Sequence, residues 1–103
     1  MIKFQFDENN SKGTIILEGS LTLENLKEIK NSFISALCKT DQLIIDHSNA
    51  DVYDFSYLQL LMSLMKTSEQ LNKKLIISSR RSEKFRALVR ESGYSNMDIL
   101  KTS

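Results

Sequence analysis

No proline occurs among the 103 residues, and there are only three glycines, one cysteine and one histidine. Each scarcity excludes something. There is no proline-rich linker, no low-complexity run and no long internal repeat that would divide the chain. The lone cysteine, Cys38, cannot form an internal disulfide and fits a reducing compartment. One cysteine and one histidine cannot supply a zinc site. Gly13, Gly19 and Gly93 build neither G-x-x-x-x-G-K-[ST] nor G-x-G-x-x-G, so no phosphate-cradling loop is expected. Fourteen Lys and Arg against 13 Asp and Glu leave a net charge of +1, without the positive excess on which nonspecific nucleic-acid binding feeds. The longest apolar-rich stretch, 57–65, is broken by Gln59 and Ser63 and is too short to span a bilayer. The opening "MIKFQFDENN" lacks the apolar core and cleavage site of a signal peptide. We therefore expect a cytoplasmic protein with no membrane insertion, no nucleic-acid partner, no metal and no cofactor.

What is present suits a single domain over 1–103, with 41% apolar and 26% charged residues. "IKFQF" (2–6) alternates, placing Ile2, Phe4 and Phe6 on one face of a half-buried strand. "DENNSKG" (7–13) is turn chemistry, and "TIILEG" (14–19) completes a hairpin. From Leu23 the period becomes helical through Leu26, Ile29, Phe33 and Leu37, with Thr22 placed to cap. "LIID" (43–46) and "LIIS" (75–78) are short continuous apolar runs, as in strands covered on both faces. Between them a helix is expected over 56–71, and a last helix over 82–92, with Ser82 as its cap and Gly93 past its end. "MDIL" (97–100) reads as a short strand or the start of a helix. The order β-β-α-β-α-β-α implies an α/β fold, a mixed β-sheet with packed α-helices and right-handed crossovers.

In such a sheet the loops 19–22, 47–56 and 79–82 converge at the carboxyl ends of the parallel strands, where open α/β sheets bind ligands. That edge gathers Ser20, Thr22, Asp46, Asp54, Ser56, Ser79 and Ser82. Enzyme chemistry has little behind it. His47 follows a strand end beside Asp46 and reads as a solvated loop histidine, and no G-x-S-x-G elbow accompanies it. The basic run "SSRRSEKFR" (78–86) is either a solvated helix face or a contact for an acidic or phosphorylated partner. The helix after Ser56 has more apolar residues than one narrow stripe needs. It is either buried on more than one side or partly exposed to a partner or a second copy. Asp54 and Ser56, the latter in an S-x-x-Q capping box with Gln59, compete to cap it.

The motifs in this order resemble the STAS domain family (sulfate transporter and anti-sigma factor antagonist) over residues 2–97. "LEGSLTLENLKEIKNSF" is similar to the family's G-E-L-D opening and first helix. "LIIDHSNADVYDFSYLQLLMSLMKTSEQLNKKLIIS" is similar to its central strand, D-S-S-G-L motif, second helix and next strand, and "SEKFRALVRESGY" to its last major helix. In the anti-sigma factor antagonists a partner kinase phosphorylates the first serine of D-S-S-G-L. By position Asp54 matches the aspartate, Phe55 that serine, Ser56 the second serine, Tyr57 the glycine and Leu58 the leucine. The usual switch is thus absent or moved to Ser56. In the opening motif Gly19 and Leu21 match, while Ser20 and Thr22 replace the two acids. The variant D-F-S-Y-L-Q-L-L itself resembles stand-alone STAS proteins of chemotaxis-type signalling.

The resemblance implies a non-enzymatic bacterial regulatory module that binds a signalling kinase, an anti-sigma factor or a phosphotransfer protein. The contact residues it implies are Ser20, Thr22, Asp54, Phe55, Ser56, Tyr57, Leu58, Arg80 and Arg81, with Ser56 the candidate phosphorylation site and a homodimer an open possibility. The alternative it offers is a cytoplasmic accessory subunit of a lipid or anion transport system.

Overall fold

The computed structural model describes residues 2–78 and 83–92. Strand β1 (Ile2–Asp7) turns back into β2 (Lys12–Leu17), and a short β3 (Gly19–Leu21) follows. A 3-10 turn (Leu23–Asn25) leads into helix α1 (Leu26–Lys39). Then come β4 (Gln42–Asp46), β5 (Ala50–Tyr53), α2 (Phe55–Gln70), β6 (Lys74–Ser78) and α3 (Glu83–Ser92). The main sheet has the order β1-β2-β4-β6, with β1 antiparallel and the other pairs parallel, so the expected mixed α/β fold is the one observed.

The registers explain which residues enter the core. Ile15 lies beside Ile45, which lies beside Ile77, and Gly13 beside Leu43, which lies beside Leu75. The pleat turns this set to one face, where Ile15, Leu43, Ile45 and Ile77 are buried against Ile29, Phe33, Ala36 and Leu37 of α1 and Leu58, Leu61 and Leu64 of α2. Burying a side chain of this size contributes about 1.5–3 kcal/mol, so this shared face is the main stabilising term. Residues 57, 58, 61, 64 and 68 of α2 are buried, and Leu60, Met62 and Met65 are partly buried against the core. The apolar excess of α2 is therefore used by the fold from more than one side.

The ends of α2 are closed by specific hydrogen bonds. At its C-terminus Asn72 adopts φ 57°. Its N–H donates to the Glu69 carbonyl at 3.1 Å, and the Lys73 N–H to that of Ser68 at 2.8 Å. Those two bonds are the Schellman arrangement, here with asparagine in the left-handed position. The Lys73 ammonium then donates to the Leu37 carbonyl at 2.7 Å, satisfying the end of α1.

Two elements were not expected. Residues 47–56, read as a loop, contain β5, which pairs in parallel with β3 to make a separate two-stranded sheet. The entry to β3 is irregular between Gly19 and Ser20, and Gly19 sits at φ 85°, a conformation costly for other residues. The positions Ser82, Gly93 and 97–100, to which caps and a last element were assigned, lie outside the described residues.

Candidate partner-binding edge

The junction before α2 is organised by Asp54. Its backbone is extended, and its N–H donates to the Leu21 carbonyl at 3.2 Å, which ties the end of β5 to the end of β3. One carboxylate oxygen, Oδ1, accepts from the Tyr57 N–H at 3.1 Å, capping α2. The other, Oδ2, accepts from the Leu23 N–H at 2.9 Å, at the start of the 3-10 turn that leads into α1. One side chain thus satisfies free N–H groups at two helix starts, and its negative charge suits the positive end of each. This corrects the expectation at Thr22 and decides between the two cap candidates of α2. Thr22 has the extended backbone of a cap but makes no side-chain capping bond, and Ser56 lies inside the first turn of α2 rather than at its cap. A carboxylate, with two acceptor oxygens, serves both ends at once.

Tyr57 and Leu58, assigned to the contact surface by position, are fully buried. This is a correction with a clear cause: Tyr57, Leu61, Leu64 and Ser68 form one stripe along α2, and it faces the core. His47 corrects a further expectation, for it is buried rather than solvated. Its Nδ1 shares a hydrogen bond of 2.7 Å with the Tyr57 hydroxyl. The Tyr53 hydroxyl donates to the His47 carbonyl. Phe85 of α3 packs on the imidazole with ring centroids 4.3 Å apart. The other ring nitrogen, Nε2, has no hydrogen-bond partner among the described residues. Burial holds the His47 pKa down at about 4, partly opposed by the nearby Asp46 carboxylate, so the ring is neutral at physiological pH. Burial, reinforced by Tyr53, raises the Tyr57 phenol well above its ordinary value. Four rings, one just past β4 and the others on β5, α2 and α3, therefore brace the junction from beneath, and His47 has no solvent-facing role.

The residues left at the surface of this junction are of a different kind. Ser20 pairs with Val52 across the small sheet, and both are exposed, while the next pair, Leu21 and Tyr53, is turned inward. Leu23, Val52 and Phe55 are 67%, 46% and 42% exposed. All three belong to segments joined through Asp54, one at the 3-10 turn, one on β5 and one at the first position of α2. The Lys84 ammonium of α3 donates to the Asp51 carbonyl at 2.8 Å beside them. Leu23 and Val52 were missed in the sequence because each sat in a pattern that promised burial or loop. Arg80 and Arg81 lie outside the described residues. Among the described residues no group of three His, Cys, Asp or Glu side chains gathers to hold a metal. No helix among them is long and apolar enough to cross a membrane.

Comparison with known proteins adds the following. The family model of the STAS domain matches residues 3–101. No curated protein matches the chain. Among solved structures, the anti-sigma factor antagonist SpoIIAA in its unphosphorylated form is similar with a TM-score of 0.72 and 17% identity, over 93% of this chain and 84% of that one. The antisigma-factor antagonist STAS domain from Rhodobacter sphaeroides gives 0.66 and 18% identity over 82% and 92%. An anti-sigma factor antagonist from Mycobacterium paratuberculosis gives 0.75 and 11% over 93% and 81%. At these identities the likeness is one of fold.

Proposed function

This chain belongs to the STAS domain family, and from that membership and the junction's geometry we propose that it is a non-enzymatic bacterial regulatory module, located in the cytoplasm, that docks a partner protein. The partner class is a signalling kinase, an anti-sigma factor or a phosphotransfer protein. The observation that carries the reading is the exposed group Ser20, Leu23, Val52 and Phe55 around Asp54. Exposed apolar side chains gathered on a braced platform, with polar groups at the rim, are what a protein partner buries. Phe55 occupies the position where the antagonists of this family carry the phosphorylated serine. It offers no hydroxyl, so docking here follows the state of the partner and not a phosphate on this chain.

The test is capture from the native cell with the wild-type protein and with Phe55→Glu. The expected result is a protein held by the wild type and lost with the variant, both chains melting alike. An unchanged set of captured proteins overturns the reading. Intact-mass measurement of the protein from the same cells checks the second half: stoichiometric phosphate on Ser56 overturns it.

A further inference from the structure

Strand β1 is an edge strand: β2 lies on one side of it, and among the described residues no strand lies on the other. It carries an apolar pair on its surface. Phe4 and Phe6 are 39% and 43% exposed, and their rings stack with centroids 6.0 Å apart. They lie on the helix-bearing face of the sheet. Phe4 lines a shallow depression with Ile15, Ser32 and Ala36, and its ring crosses Gly13, where a Cβ would come within 2.7 Å of it. The opposite face of β1 presents Lys3, Gln5 and Asp7, all exposed. A regular edge strand with exposed aromatic rings, no proline and no bulge is a template for another strand.

We propose that the occupant of this edge is β1 of a second copy of the chain, antiparallel, with the two-fold axis through Gln5. The register follows from symmetry and charge. In a two-fold pair each contact recurs with the copies exchanged, and facing residues must point to the same side of the sheet. The pairing must therefore be centred on a residue and not between two. Centred on Phe4, Lys3 faces Gln5 and Asp7 is left beyond the paired segment. Centred on Phe6, Phe4 faces Glu8 and Lys3 is left out. Centred on Gln5, Lys3 faces Asp7 of the second copy, Phe4 faces its Phe6, and both contacts occur twice. Opposite charges and aromatic rings in facing positions each stabilise a sheet pair. Lys3, which would otherwise protect the edge, becomes one half of a cross-strand ion pair; its contact within the chain is a surface one, to Glu18 at 3.6 Å. The two four-stranded sheets become one continuous sheet, with four phenylalanine rings gathered between the two α1 helices. This inference does not rest on the partner surface proposed above, because it uses no residue of the Asp54 junction.

Light scattering across micromolar to millimolar concentration should show the mass rising from 11.8 kDa towards twice that value. Phe6→Lys should weaken this association about tenfold or more, while its circular dichroism stays that of the wild type. Where that variant costs the fold, Lys3→Asp serves instead: it sets like charges opposite and should weaken the dimer, and adding Asp7→Lys should restore it. Disulfide capture reads the register. Cys38 is the only cysteine, so Gln5→Cys in a Cys38→Ser background carries a single thiol. At a facing pair the Cα atoms stand about 4.5–5.5 Å apart, within disulfide reach. The Gln5→Cys protein should therefore cross-link to itself. Lys3→Cys in the same background should not, because its copies stand ~13 Å apart along the strand, but it should cross-link to Asp7→Cys. A wild-type chain that stays monomeric to millimolar concentration overturns the proposal and leaves β1 to a strand from another protein. So does a dimer indifferent to these variants, or self-cross-linking at residue 3 as readily as at residue 5.

Discussion

His47 makes acid the most informative perturbation of this fold. It is the only histidine, and it is buried with a neutral ring. Its pKa is about 4 in the folded chain against 6.5 when free, with burial as the main cause. Above the free value neither state is protonated there, and the stability of the fold is fully present. As pH falls through 6.5 the unfolded chain takes up a proton that the folded chain refuses, so stability is lost progressively until the folded pKa is reached. The total is ~3 kcal/mol, of which ~2 kcal/mol is already lost at pH 5, ahead of most carboxylate titration. That is a large share of the ~5–15 kcal/mol of a typical domain. Urea denaturation at steps from pH 8 to pH 5 measures it, and the titration of the single imidazole by NMR gives the folded pKa directly. The control is His47→Phe combined with Tyr57→Phe, which replaces both partners of the 2.7 Å bond by apolar rings. This double variant should be nearly flat across the same range. Equal acid sensitivity in the two proteins, or a wild-type curve flat from pH 7.5 to pH 5, refutes the reasoning.

Three substitutions test the frame around the site. Asp54→Ala removes both caps and should cost about 2–3 kcal/mol in chemical denaturation, more than the ~1 kcal/mol usual for one cap. Tyr57→Asp should abolish the cooperative melt, since it puts a carboxylate into a position that is 0% exposed among aromatic rings. Asn72→Gly should gain about 0.5–1 kcal/mol, because glycine adopts the φ of 57° without steric cost; a loss on thermal denaturation counts against that account of the α2 C-terminus.

The elements with a clear period were legible in the sequence: the hairpin, the buried runs at β4 and β6, and helices α2 and α3 to within a residue or two, and α1 with its expected first three residues, 23–25, wound instead as a 3-10 turn. What was not legible is local or tertiary. Strands of three and four residues, "GSL" and "ADVY", are too short to show alternation, and they exist because their carbonyls and N–H groups pair with each other across 30 residues of chain. The competition between Asp54 and Ser56 for the cap is settled by Leu23, a donor that only the fold brings to the second carboxylate oxygen. For Tyr57 the signal was available. Its spacing from Leu61, Leu64 and Ser68 is that of one helix face, and it points to the core whatever motif position the residue fills. His47 carried no such signal, since nothing in the order of residues announces that Phe85 and Tyr53 close over it.

The junction also explains how a phenylalanine can follow Asp54, at the position that the motif resemblance matches to the antagonists' phosphorylated serine, without loss of the fold. A serine at the first turn of a helix is a good phosphate site because N–H groups there are free and the dipole is positive. Here Asp54 already meets that demand with both of its oxygens, at Tyr57 and at Leu23. The side chain at position 55 is 42% exposed, and both Asp54 caps are made to other residues. Exchange of a hydroxyl for a ring at that place therefore leaves the capping intact and changes only what the surface offers: apolar area in place of a phosphorylatable group. Phe55→Ser should accordingly fold as well as the wild type, within ~0.5 kcal/mol as for surface substitutions generally. It should also lose partner capture in the way Phe55→Glu does. If Phe55→Ser instead binds the same partner undiminished, the ring is not the docking element, and the surface must be sought among Ser20, Leu23 and Val52 alone.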